Sequence, residues 1–73
     1  MNVLTALTEF EHGFVTATAL AARLGDPKLA AKLLGSAGFQ ALDCSELNGF
    51  DRQHLELVNQ QPGMKLTGLG KHN

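Results

Sequence analysis

Apolar residues recur along the first half of the chain at spacings of three and four, the period of an amphipathic helix. Val3, Ala6, Leu7 and Phe10 make one such stripe and predict a first helix, capped by Asn2 and running to about His12. Glu9 and Glu11 stand off that stripe as a solvated face. Gly13 is expected to close the helix, with Phe14 as the apolar residue beyond it. A second helix is predicted over Ala17 to Leu24, capped by Thr16, with Leu20, Ala21 and Leu24 turned inward. Gly25 ends it. Asp26 then caps a third helix whose first position is Pro27, where the missing N–H costs nothing. This helix runs to about Leu34, with Ala30, Leu34 and Ala37 inward and Leu33 partly so, and gives out in Gly35-Ser36-Ala37-Gly38.

Past Gly38 the period weakens. Phe39 to Leu42 reads as a short strand, and Asn48-Gly49 is a strong hairpin turn. One expectation is therefore a wing-like hairpin from Phe39 to about Asp51. The other is a single helical turn at Ser45-Glu46-Leu47, stopped by Gly49. A fourth helix is predicted from Arg52 to about Gln60, capped by Asp51, with Leu55 and Val58 on one face and Leu57 flanking. Gln60-Gln61-Pro62-Gly63 breaks it. Met64 to Asn73 has no period and reads as a disordered tail. The pattern thus predicts a mainly α fold: a small helix-turn-helix-like domain of three or four helices over residues 1–62, with or without a short β-hairpin wing at about 39–50, and a tail at 63–73.

Composition sharpens this picture. The 73 residues allow one domain, and a hydrophobic fraction of 44% carried by Ala and Leu, without Trp or Tyr, suits close-packed short helices. Six Lys and Arg stand against seven Asp and Glu. A free-standing DNA binder draws most of its affinity from neutralising phosphates, so this balance argues against that role. Cys44 is the only cysteine, which rules out an intrachain disulfide and fits a reducing cytoplasm. The N-terminal stretch lacks a basic leader, and no run approaches the roughly 18 apolar residues of a membrane span.

In a DNA-reading helix-turn-helix, the helix after the turn presents its first two turns to the major groove. Here the outward positions are Pro27, Lys28, Leu29, Ala31, Lys32 and Leu33. Lys28 and Lys32 lie one turn apart, as phosphate contact requires. The Arg, Asn and Gln side chains that read base edges are absent from this helix. Downstream, Asp43, Glu46, Asp51 and Glu56 face a single Arg52, which opposes a duplex backbone. Lys28 and Lys32 therefore read as the solvated side of a core helix, as a protein-contact face, or as phosphate contacts, in that order. The candidate contact face is Arg23, Lys28, Leu29, Lys32 and Leu33, with the acidic region Asp43 to Asp51 as a second surface. A DNA-binding repressor acting as a dimer is the alternative.

Other chemistry finds little support. His12, His54, His72 and Cys44 lack the short spacing of a closed zinc site, so no metal is expected. Cys44 has no base at fixed spacing and reads as a half-buried small hydrophobe. Gly35-Ser36-Ala37-Gly38 follows no strand and carries no Lys, so it is not a phosphate loop. Neither an enzyme nor a cofactor is expected.

Chain size, near-neutral charge, the helix-turn-helix stretch from Thr16 to Phe39 and the trailing C-terminus together resemble the small transcription regulators of lytic Xanthomonas phages that act on the host RNA polymerase. The resemblance implies binding to the large polymerase subunits in the host cytoplasm, inhibition of transcription initiation, and antitermination. It carries over no individual functional residue.

Overall fold

The computed structural model describes residues 7–70. Among these residues there are three helices, α1 (Glu9–Arg23), α2 (Pro27–Ser36) and α3 (Gly49–Val58). The expected first-helix residues Asn2, Val3 and Ala6 lie outside the described residues.

Helix α1 runs through the break expected at Gly13, joining the described end of the first expected helix to the second. It starts at Thr8, whose hydroxyl accepts from the Glu11 amide at 3.1 Å while the Glu11 carboxylate accepts from the Thr8 amide at 3.0 Å. This capping box satisfies two amides that a helix start leaves open. It also places Glu9 and Glu11 in the first turn, where the helix dipole favours carboxylates, and not at a C-terminus as the sequence pattern suggested. Gly13 sits inside the helix. A helix-interior glycine costs about 1 kcal/mol against alanine, and burial outweighs that: Val15, Thr18, Ala19 and Ala22 are all buried against the rest of the chain. Fully burying one valine side chain alone is worth about 1.5–3 kcal/mol. Thr16 is accordingly no cap but a mid-helix residue, and Leu20 and Leu24 point outward, at 42% and 74% exposure, in place of the inward face expected for them.

The turn between α1 and α2 forms as its residues dictate. Gly25 takes φ 103°, a conformation that side chains with a Cβ resist. The Gly25 amide donates to the Ala22 carbonyl and the Asp26 amide to the Ala21 carbonyl, both at 3.0 Å. That pair of bonds is a Schellman closure. Asp26 then caps α2 by accepting from the Leu29 amide at 3.1 Å, with Pro27 first in the helix. The same closure recurs at the other end of α2, where Gly38 (φ 77°) and Phe39 donate to Gly35 and Leu34. Ala30 and Leu34 are fully buried, whereas Ala37, expected inward, is exposed.

From Phe39 to Asn48 the chain forms no hairpin wing; of the two expectations it is the single turn at Ser45-Glu46-Leu47 that has a counterpart, though Gly49 opens the next helix and does not stop that turn. A hydrogen-bonded turn joins Leu47 to Cys44, and residues 40–44, which begin in a turn at Gln40-Ala41, pair with the C-terminal segment. The Lys65 amide donates to Gln40, the Thr67 amide to Leu42 and the Cys44 amide to Thr67, at 2.8–3.0 Å, in a short parallel bridge. Asn48 does not make a hairpin turn. Its side chain caps α3, accepting from the Asp51 amide at 2.7 Å, so the helix begins at Gly49 and Asp51 falls in its first turn.

The expected disordered tail is folded over its described part. Met64, Leu66 and Leu69 are buried members of the core, alongside Leu34, Leu55 and Val58. The Asn59 side chain holds the segment by both of its polar atoms, donating to the Leu66 carbonyl at 3.1 Å and accepting from its amide at 2.8 Å. Alternation explains what the helical period missed: Met64 and Leu66 face inward while Lys65 and Thr67 face out.

Candidate partner-binding surface

The outer side of α2 follows from its inner one. With Ala30 and Leu34 fixed in the core, Lys28, Leu29, Lys32 and Leu33 must project away, and all four are exposed. Leu29 and Leu33 keep 45% and 42% of their surface in water. Two large apolar side chains and two ammonium groups thus share one stripe of a ten-residue helix. Beside it lies an open groove of about 450 Å³ lined by Lys28, Ala31, Lys32, Gln61 and Pro62. The last two come from the turn after α3, so the groove exists only once that turn packs against α2.

Arg23 stands apart from this group. Its guanidinium sits 5.5 Å from the centre of the Phe50 ring, in cation–π contact at the start of α3. The His54 ring packs edge-on against Phe50 at 4.6 Å, with its Nδ1 2.9 Å from the Phe50 carbonyl. The sequence-derived contact face therefore divides: Lys28, Leu29, Lys32 and Leu33 come together, and Arg23 belongs to a separate stack with Phe50 and His54.

Of the acidic second surface, one carboxylate holds the backbone and the others do not. The Asp43 carboxylate accepts from the Ser45 amide at 3.0 Å, and Asp51 lies in the first turn of α3. Glu46 is exposed. Between Asp43 and Glu46, Cys44 is fully buried and its thiol points at the Leu42 carbonyl, 3.7 Å away. Burial, reinforced by the neighbouring Asp43 charge, pushes the thiol up to about 11 from its ordinary 9. A thiol so protonated is a packing group, and it is more deeply buried than its polar neighbours in the sequence suggest.

Two features escaped the periodic pattern. Phe10, Phe14 and Phe39 form a mutual cluster with ring centres 5.3–6.0 Å apart, joining the start of α1 to the loop after α2. A second open groove of about 370 Å³ runs along the C-terminal segment, between Glu56, Asn59 and Gln60 on one side and Leu66, Gly68, Leu69 and Gly70 on the other. Among the described residues, no three of His, Cys, Asp and Glu gather as metal ligands, and no helix is long and apolar enough to cross a membrane. No protein-family model, curated protein or solved structure matches the chain.

Proposed function

We propose that this chain is a transcription regulator of phage type that binds host RNA polymerase, inhibiting initiation and promoting antitermination, and that the outer face of α2 carries the contact. One observation carries the choice of face: Lys28, Leu29, Lys32 and Leu33 project together from α2 beside the groove closed by Gln61 and Pro62. Half-exposed leucines beside ammonium groups suit a protein surface, where apolar burial supplies affinity and charge supplies orientation. The same leucines suit a duplex poorly, and α2 has no Arg, Asn or Gln to read bases. The polymerase itself enters through the resemblance in size, charge and helix-turn-helix pattern.

The test is capture of purified Xanthomonas RNA polymerase by the immobilised chain after nuclease treatment, with promoter initiation and terminator read-through measured alongside. Wild-type protein captures polymerase in stoichiometric amount, lowers initiation and raises read-through. Lys28→Glu with Lys32→Glu weakens capture at least tenfold without changing the circular dichroism spectrum, since both side chains are exposed. Normal capture by the folded double variant removes this face from the proposal. Failure of the wild type to bind polymerase, together with DNA affinity that falls steeply with salt, replaces it by the DNA-binding repressor.

A further inference from the structure

Opposite its buried side, α1 carries a second apolar side on which, among the described residues, only Phe10 has aromatic neighbours, the rings of Phe14 and Phe39. Phe10, Gly13, Ala17, Leu20 and Leu24 recur at alternating steps of three and four, the a and d spacing of a helix-pairing seam. All five are exposed, with Phe10 at 68% and Leu24 at 74%, and none is charged. Phe14 and Ala21 flank the seam and pack on the core, so the stripe is a fixed feature of the helix surface.

Its order of sizes and charges indicates what covers it. Small residues, Gly13 and Ala17, sit at the middle; a Cβ placed on Gly13 would meet nothing within 4 Å. Large residues stand at both ends. Glu9 lies at the N-terminal end and Arg23 at the C-terminal end, fourteen positions apart by their numbers and hence at the same place in the seven-residue repeat; both are exposed, and the Arg23 guanidinium rests on the Phe50 ring with its N–H edge open to an acceptor. Turned end for end, the stretch from Phe10 to Leu20 matches itself, large residue to large and small to small, with Leu24 beyond it. We propose that the seam is the interface of a homodimer in which α1 of one copy crosses α1 of the other in antiparallel sense. Gly13 then lies close to the partner's Ala17, Phe10 covers the partner's Leu20, and Glu9 faces the partner's Arg23. A parallel pairing would keep Glu9 and the partner's Arg23 at opposite ends of the crossing, losing that ion pair, and would align the helix dipoles; both effects oppose it.

This interface is separate from the α2 face, so the two proposals fail separately. Sedimentation equilibrium of the full chain, from about 10 μM to 1 mM, is expected to approach twice the 7.8 kDa protomer mass. Ala17→Glu puts two carboxylates at the centre of the crossing; it raises the dissociation constant at least tenfold and leaves the helical spectrum intact, because Ala17 is exposed and Glu is a good helix former. Glu9→Arg and Arg23→Glu each weaken the dimer, and the two together restore it. A wild-type chain that stays monomeric throughout, or a dimer indifferent to Ala17→Glu, overturns the homodimer. Ala17→Glu abolishing polymerase capture by a monomeric wild type overturns it too, and assigns the seam to that foreign partner.

Discussion

Asn59→Ala isolates what holds the C-terminal segment to the helices. The Asn59 amide takes both hydrogen bonds that a neighbouring strand would otherwise offer Leu66, at 3.1 and 2.8 Å. Each is worth about 1 kcal/mol net, and truncation leaves the Leu66 N–H and C=O unpaired beside a side chain that is only 5% exposed. The expected loss is about 2–3 kcal/mol. For a chain of this length total stability is roughly 4–11 kcal/mol, so that loss is a large fraction of the whole. With a urea slope of about 1 kcal/mol/M, the unfolding midpoint followed by circular dichroism should fall by about 2 M or more. Asn59→Asp should behave almost as badly. It keeps the acceptor for the Leu66 amide but sets a carboxylate oxygen against the Leu66 carbonyl. Hydrogen exchange at the Thr67 amide, which bonds to Leu42 on the far side of the bridge, should quicken in both variants. A loss below about 0.5 kcal/mol with unchanged exchange at Thr67 would refute the reasoning, because the segment would then be held by its leucines alone.

Three further outcomes follow from the structure. Gly35→Ala should raise stability by about 0.5–1 kcal/mol, since Gly35 lies within α2 and an added Cβ meets nothing within 4 Å. Gly68→Ala should cost more than about 2 kcal/mol, because at φ 75° its Cβ would come within 2.6 Å of the Asp43 carboxylate and the Ser45 amide; thermal unfolding of the pair checks both signs. Stability should fall as pH rises from 9 towards 11, the range over which the unfolded Cys44 thiol has lost its proton and the native one retains it. Urea midpoints at pH 8 and pH 10.5 measure this, and Cys44→Ala should remove that part of the pH dependence.

The face proposed for polymerase was half legible in the chain. Lys28, Leu29, Lys32 and Leu33 could be grouped beforehand because they share one side of a helix whose cap, first proline and inward residues are all local. Arg23 could not be sorted from them, because its direction depends on Phe50, which lies 27 positions further on by number and reaches it only through the packing of α1 on α3. Gln61 and Pro62 gave no signal beyond that of a helix stop, and they line the groove only because that stop returns to α2.

What the sequence determined by itself are the features whose energy is spent within five or six residues. These are the Gly25-Asp26-Pro27 turn with its Schellman closure and cap, the course of α2, and the inward pair Leu55 and Val58. Tertiary structure decided wherever a local preference was worth only about 1 kcal/mol. Gly13 asked for a stop, and burial of Val15, Ala19 and Ala22 overrode it. Thr16 and Asp51 offered caps, but Thr8 with Glu11, and Asn48, took those roles once the helices had their lengths. Residues 64–69 have no local reason to be ordered. Their order comes from Asn59 and from the backbone of residues 40–44, partners that no local period in the sequence can reveal.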